Sequence, residues 1–267
     1  MMNIISYLKK IWHDQKYMVL GLTIFSAVFE FAFGWLLFEA KFNEIFETVA
    51  TMLPSSLMNF IGVTTGGNFY GSQLLSFGFS HPLILISLSL LPINIPARYI
   101  SGEIESKTMD LFLTKPIKRN VIPTSLFIFL AVAMLLQTIA LYFGTYLGYR
   151  LFSLDIDIHL YFKISVTIYL FFLSMGMVSM MIAISQNERG KAIAKSVSLF
   201  IVLFFFDTII RLNKSLENLT SYSYFNLYQP GKLIRGEGDF WGTVMVLLIL
   251  IIVFWVLSII LFKKRDL

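Results

Sequence analysis

The sequence predicts an all-α membrane protein with six transmembrane helices, and three observations carry that reading. Of 267 residues, 57% are hydrophobic and 14% charged, against about 25% charged in an average soluble domain. Mean hydropathy is +0.76, so much of the apolar surface must face something other than water. Six stretches, about 17–38, 77–97, 122–147, 164–184, 192–210 and 241–262, are largely apolar. Each approaches the roughly 20 residues that cross about 30 Å of hydrocarbon at 1.5 Å per residue. The runs are rich in Leu, Ile and Phe without the alternation of barrel strands, so helices are preferred. The chain 1–267 reads as a single transmembrane domain.

Residues 1–16 precede the first span. Ile4, Ile5, Leu8, Ile11 and Trp12 recur at spacings near three and four, with Lys9, Lys10 and Lys16 between them. That pattern predicts a helix lying in the membrane interface. No small-residue cleavage site follows the first apolar run, so it is read as a retained span. The outer loop 39–76 is too long for a turn and half apolar. Phe42, Ile45, Phe46, Val49 and Met52 precede Pro54, and Leu57, Met58, Phe60 and Ile61 follow it. Two short amphipathic helices on the outer surface, or re-entering it, are predicted.

Lysine and arginine set the orientation. Lys9, Lys10 and Lys16, then Arg98, Lys107, Lys115, Lys118 and Arg119, then Arg189, Lys191 and Lys195, and finally Lys263, Lys264 and Arg265 fall on one side. These are 14 of the 21 cations. Both termini are therefore expected in the cytoplasm, with the chain in the cell membrane. The net charge of +5 is spread over four edges, with no basic stripe and no interleaved aromatics, so nucleic acid is not an expected partner.

The connection 98–121 carries the strongest functional signal. Glu103 and Lys107 stand four apart in the favourable acid-first order, and Asp110 and Thr114 continue a polar side. Ile104, Leu111 and Phe112 form another side, and the pattern stops near Pro116, before Lys118-Arg119. A short amphipathic helix is predicted, suited either to the membrane surface or to docking on a soluble partner.

The run Gly102-Glu103-(x)3-Lys107-Thr108-Met109-Asp110-Leu111-Phe112-Leu113-Thr114-Lys115-Pro116-Ile117-Lys118-Arg119 resembles the pattern Gly-Glu-x-x-x-Gly-Thr-Leu-Glu-x-Leu-Leu-x-x-Pro-Val-x-Arg of type-2 ABC exporter permeases. It departs at Lys107, where that family usually has Gly. The resemblance extends to the six spans and covers essentially the whole chain. It implies that 98–121 is a coupling segment in which Glu103, Glu105, Lys107, Asp110, Leu111, Phe112 and Arg119 meet a cytoplasmic ATP-binding subunit. It also implies two copies of that subunit, a second permease copy or a paralogue, and an elbow helix over residues 1–16. ATP and Mg²⁺ would belong to the partner, because this chain has no Gly-x-x-x-x-Gly-Lys-Ser/Thr loop.

Three polar residues lie inside predicted spans, where an ionised group costs at least about 2.5–3.5 kcal/mol. Glu30 and Gln137 either line a substrate path or join helices, and Asp207 has Arg211 four residues on as a local partner. Gly144 and Gly148 allow close helix approach. The methionines at 175, 177, 180 and 181 read as packing rather than Cu(I) ligands. There is no cysteine, and His13, His81 and His159 lie far apart, so neither a metal site nor catalysis is expected. Two other classes compete with the transporter subunit: an ion-coupled secondary transporter using Glu30 and Asp207, and a non-transporting scaffold or immunity protein.

Overall fold

The structure, a computed structural model, describes residues 4–39, 71–109, 119–154 and 156–265. Among them every regular element is helical: α1 (Ile4–Phe38), α2 (Gly71–Ser80), α3 (Pro82–Pro96), α4 (Val121–Leu151), α5 (Ile158–Ile184), α6 (Arg189–Leu212), α7 (Pro230–Ile234) and α8 (Phe240–Lys264). The π-helical turn Ala97–Gly102 and a last α turn, Glu103–Glu105, extend α3, so its apolar run reaches from Pro82 to Glu105. With that extension, among the described residues six helices are long and apolar enough to cross a membrane.

Three predicted boundaries move. The interfacial helix over 1–16 is not a separate element, because α1 runs unbroken from Ile4 to Phe38. No Gly or Pro interrupts Ile4–Leu20, and the buried stripe Tyr7, Ile11, Gln15, Val19 advances in four-residue steps along one helical face. At 35 residues and 1.5 Å each, α1 is about 52 Å long, well beyond the hydrocarbon thickness.

The run 77–97 does not form one helix either. His81 is extended and its Nδ1 accepts from the Leu83 N–H at 3.3 Å, with Pro82 in the first helical position, a favoured start. Phe77–Ser80 therefore belongs to α2, and the span begins after it. Pro92 and Pro96 follow within α3. Each lacks an N–H for the helical ladder, and the wider π turn begins directly after Pro96. Finally, the predicted helix of 98–121 is replaced in its first part by the end of this span. The predicted helices around Pro54 lie outside the described residues.

Helix α5 is the centre of the bundle. In its most apolar window 83% of residues are buried, against 22% in α6 and 17% in α8, and it packs on α3, α4, α6 and α8. A helix apolar all round belongs in such a position. Met175, Met177 and Met180 are buried there against the core. Helices α1 and α4 run alongside each other with glycine at the seam. A Cβ on Gly34 would stand 3.3 Å from the Gly148 Cα, and one on Gly144 would collide with the Ala27 carbonyl oxygen.

Gly144→Ala must therefore push α1 away from α4. It is expected to lower stability by about 1–3 kcal/mol, as overpacked contacts do. The change is read as the melting temperature of the detergent-solubilised protein. Gly21→Ala, where a Cβ meets nothing within 4 Å, is expected to leave the melting temperature unchanged or raise it.

Candidate functional site

The site is built where α3 ends, at the end of the bundle that carries both termini. The turn Glu103–Glu105 stops by a closed hydrogen-bond pattern: Lys107 N–H donates to the Ile104 carbonyl at 3.0 Å and Thr108 N–H to the Glu103 carbonyl at 3.0 Å. Lys107 itself is left-handed, with φ 56°. This is a Schellman cap, whose left-handed position usually holds glycine. The resembled family has Gly at that place, and here a lysine occupies it.

Because the helix ends there, the expected Glu103–Lys107 pair does not form. Glu103 is instead bound from two other directions. Lys10 Nζ of α1 lies 3.0 Å from Glu103 Oε1, and the Thr108 hydroxyl donates to Oε2. One turn earlier the Tyr99 hydroxyl donates to Asp14 Oδ2 at 3.1 Å and accepts from Gln15 Nε2 at 3.2 Å. The Tyr7 and Tyr99 rings meet edge to face at 6.4 Å. The N-terminal third of α1 is thus fastened along the last two turns of the second span.

Glu105 reaches a different helix. Its Oε2 accepts from the Arg189 backbone N–H at 2.9 Å, at the first residue of α6, whose own preceding residue Glu188 makes no side-chain cap. A carboxylate there meets unsatisfied N–H groups and the positive end of the helix dipole. Arg189 Nη2 donates back to Asn94 Oδ1 of α3 at 3.0 Å. Ser101 Oγ donates to the Ala183 carbonyl near the end of α5 at 2.9 Å.

Arg119 reaches a third helix. Its Nη1 donates to the Lys263 and Arg265 carbonyls, both at 2.9 Å, and so closes the C-terminal end of α8. Arg265 in turn donates to the Ile184 carbonyl, to the Gln186 carbonyl at 3.0 Å and to Asn187 Oδ1, closing α5. Of the residues singled out in the sequence, Glu103, Glu105 and Arg119 therefore gather at one end, on α1, α6 and α8 respectively. Asp110, Leu111 and Phe112 lie outside the described residues. Sequence reasoning misses Lys10, Arg189 and Arg265 as site residues. Lys10 is legible only as one of three lysines in an amphipathic pattern; Arg189 meets Glu105 and Asn94 and Arg265 meets carbonyls and Asn187, partners far apart in sequence that no local spacing marks.

The polar residues inside the spans do not converge on one path. Gln137 Nε2 donates to Ser87 Oγ at 2.9 Å and Ser26 Oγ at 3.3 Å, joining α4 to α3 and α1. Asp207 makes a two-pronged pair with Arg211, at 2.6 and 3.0 Å, and accepts from Ser223 Oγ at 2.5 Å. Near it, in the opposite-end connection, burial and the neighbouring Arg211 and Arg235 hold the Lys232 ammonium below the usual lysine range. Glu30 differs from both. It is fully buried, and among the described residues neither carboxyl oxygen has a hydrogen-bond partner. It fills space left by glycine, since a Cβ on Gly78 would stand 2.6 Å from Oε1. Among the described residues, no group of three His, Asp or Glu side chains is placed to hold a metal ion.

Compared with known families, residues 16–267 match the model of the family described as ABC-2 family transporter protein. No curated protein matches the chain.

Two outcomes follow from this geometry. Lys107→Gly removes the Cβ from a left-handed position and is expected to raise stability by about 1 kcal/mol, measured by thermal unfolding in detergent. Glu30→Gln keeps size and shape without a charge to desolvate, so yield and melting temperature should hold. Glu30→Lys places an unpaired cation against Gly78 and should abolish the monodisperse peak in size-exclusion chromatography, since an unpaired charge at that depth costs at least about 2.5–3.5 kcal/mol.

Proposed function

From the premise that this chain belongs to the ABC-2 family of transporter membrane proteins, we propose that it is the permease subunit of an ATP-driven exporter, worked by a separate ATP-binding subunit docked beneath residues 98–121. The observation that carries this reading is the division of labour among Glu103, Glu105 and Arg119. They hold α1, the start of α6 and the end of α8, so a push on one short segment is delivered to three spanning helices together. A segment floating on the membrane surface would not need these long-range contacts.

The 14 cations on the side of that segment favour a cytoplasmic location for it and for both termini. Type-2 exporters use two sets of six spans, so a second permease copy or a paralogue and two ATP-binding subunits complete the assembly. ATP and Mg²⁺ are bound by those partners. This chain supplies positioning: Lys10 and Glu103 hold the lever against α1, and Glu105 and Arg119 carry its displacement into α6 and α8. The ion-coupled alternative uses Glu30 and Asp207 together. The pairing of Asp207 with Arg211 and Ser223 counts against it.

The test is a charge exchange. In proteoliposomes holding the chain with its ATP-binding subunit, Glu103→Lys is expected to reduce permease-stimulated ATP hydrolysis about tenfold. Lys10→Glu combined with Glu103→Lys should restore part of it, as direct coupling between the two side chains requires. Undiminished stimulation in Glu103→Lys, or failure of this chain to retain any ATP-binding subunit on purification, would overturn the proposal.

A further inference from the structure

Outside the contacts described so far, α1 and α4 enclose a groove of about 480 Å³ facing away from the bundle. We propose that it is a binding site for one anionic phospholipid, with the headgroup phosphate held by Lys9, His13 and Lys16 and an acyl chain lying along α4. The three basic side chains are four and three residues apart, so they share one face of α1, and all three line the groove. Their neighbours on α1 are turned elsewhere: Lys10 pairs with Glu103, and Asp14 accepts from Tyr99. Among the described residues, no carboxylate lines the groove.

The chemistry of the walls selects a lipid over a soluble phosphate. Trp12 meets Phe129 edge to face, with ring centroids 6.5 Å apart, across the floor. Val132 continues the apolar wall one turn deeper along α4 and is 49% exposed. Cationic side chains along α1 beside an apolar wall on α4 match a molecule that carries both an anion and hydrocarbon. Lysines near an anionic membrane surface each contribute on the order of 1 kcal/mol, and an indole is suited to the headgroup boundary. This site is independent of the transport reading: it requires only that α1 and α4 face a bilayer.

The test uses the full-length chain in uncharged detergent, titrated with phosphatidylglycerol, with phosphatidylcholine of the same chains, and with glycerol phosphate alone. Saturable thermal stabilisation by phosphatidylglycerol only is expected. The double variant Lys9→Gln, Lys16→Gln should weaken it about tenfold or more, while Lys195→Gln with Lys264→Gln, at exposed positions elsewhere, should not. Equal loss in both double variants, or an equal response to phosphatidylcholine, would refute a built headgroup site. Full stabilisation by glycerol phosphate would refute the lipid in favour of a soluble anion. A second measurement guards against misfolded variants: phosphatidylglycerol with brominated chains should quench a part of the tryptophan fluorescence that Trp12→Phe lacks, and identical quenching in the two proteins would overturn the proposal.

Discussion

Every α-helix leaves four N–H groups unpaired at its start and four carbonyls at its end, and where water is scarce each unpaired group is costly. At the termini-bearing end of this protein, those groups are closed largely by other helices. Glu105 closes the start of α6, Arg119 the end of α8, and Arg265 the end of α5; the α3 extension closes itself, through Lys107 and Thr108. A hydrogen bond to a charged group is worth about 1.5–3 kcal/mol net, less where solvent screens it, as at the exposed Glu105. The larger consequence is mechanical. A shift of the start of α6, the end of α8 or the end of α5 breaks a contact with Glu105, Arg119 or Arg265, which links these ends.

Inside the bundle a different rule holds. Helices already surrounded by hydrocarbon gain nothing from burying more of it, so small residues and polar contacts decide which faces meet. Glycines at 34, 144 and 148 bring α1 and α4 to backbone contact. Gln137 then ties those two helices to α3 through Ser26 and Ser87. Asp207 and Arg211 satisfy each other within one helix and add Ser223 from the connection beyond it. Glu30 is the exception to this pairing. Among the described residues its carboxyl oxygens have no hydrogen-bond partner, and its size fills the space left at Gly78.

How much of this is legible in the sequence depends on whether the signal is a pattern or a partner. The six spans are legible because hydropathy over 20 residues is a pattern, and Gly144 with Gly148 points to the close helix approach. The boundaries that move have local causes. Hydropathy runs straight across His81-Pro82, though Pro in a first-turn position marks a start. The periodicity of 1–16 is helical, as the structure is over 4–16, but nothing in it requires a break before Tyr17. The Glu103–Lys107 spacing assumes a continuing helix, whereas the helix ends at Glu105, with Ser106 as its cap. Arg189 and Arg265 meet partners 78–95 residues away, in part through main-chain groups that every residue possesses, so no local pattern announces them.

The departure at Lys107 and the π turn at Ala97–Gly102 act on the same few side chains. A π turn holds about one residue more than an α turn, and one residue of helix is about 100° of rotation. If Ala97–Gly102 were ideal α-helix, Glu103 and Glu105 would each be rotated by about that amount, away from Lys10 on one side and Arg189 on the other. The prolines at 92 and 96 thus have an effect beyond their own missing hydrogen bonds: the π turn directly after them sets the register in which two carboxylates face two different helices. The cap at Lys107 then fixes where that register stops. It turns the chain out of the helix within three residues of Glu105, and Arg119, just before α4, holds the end of α8 in the same layer.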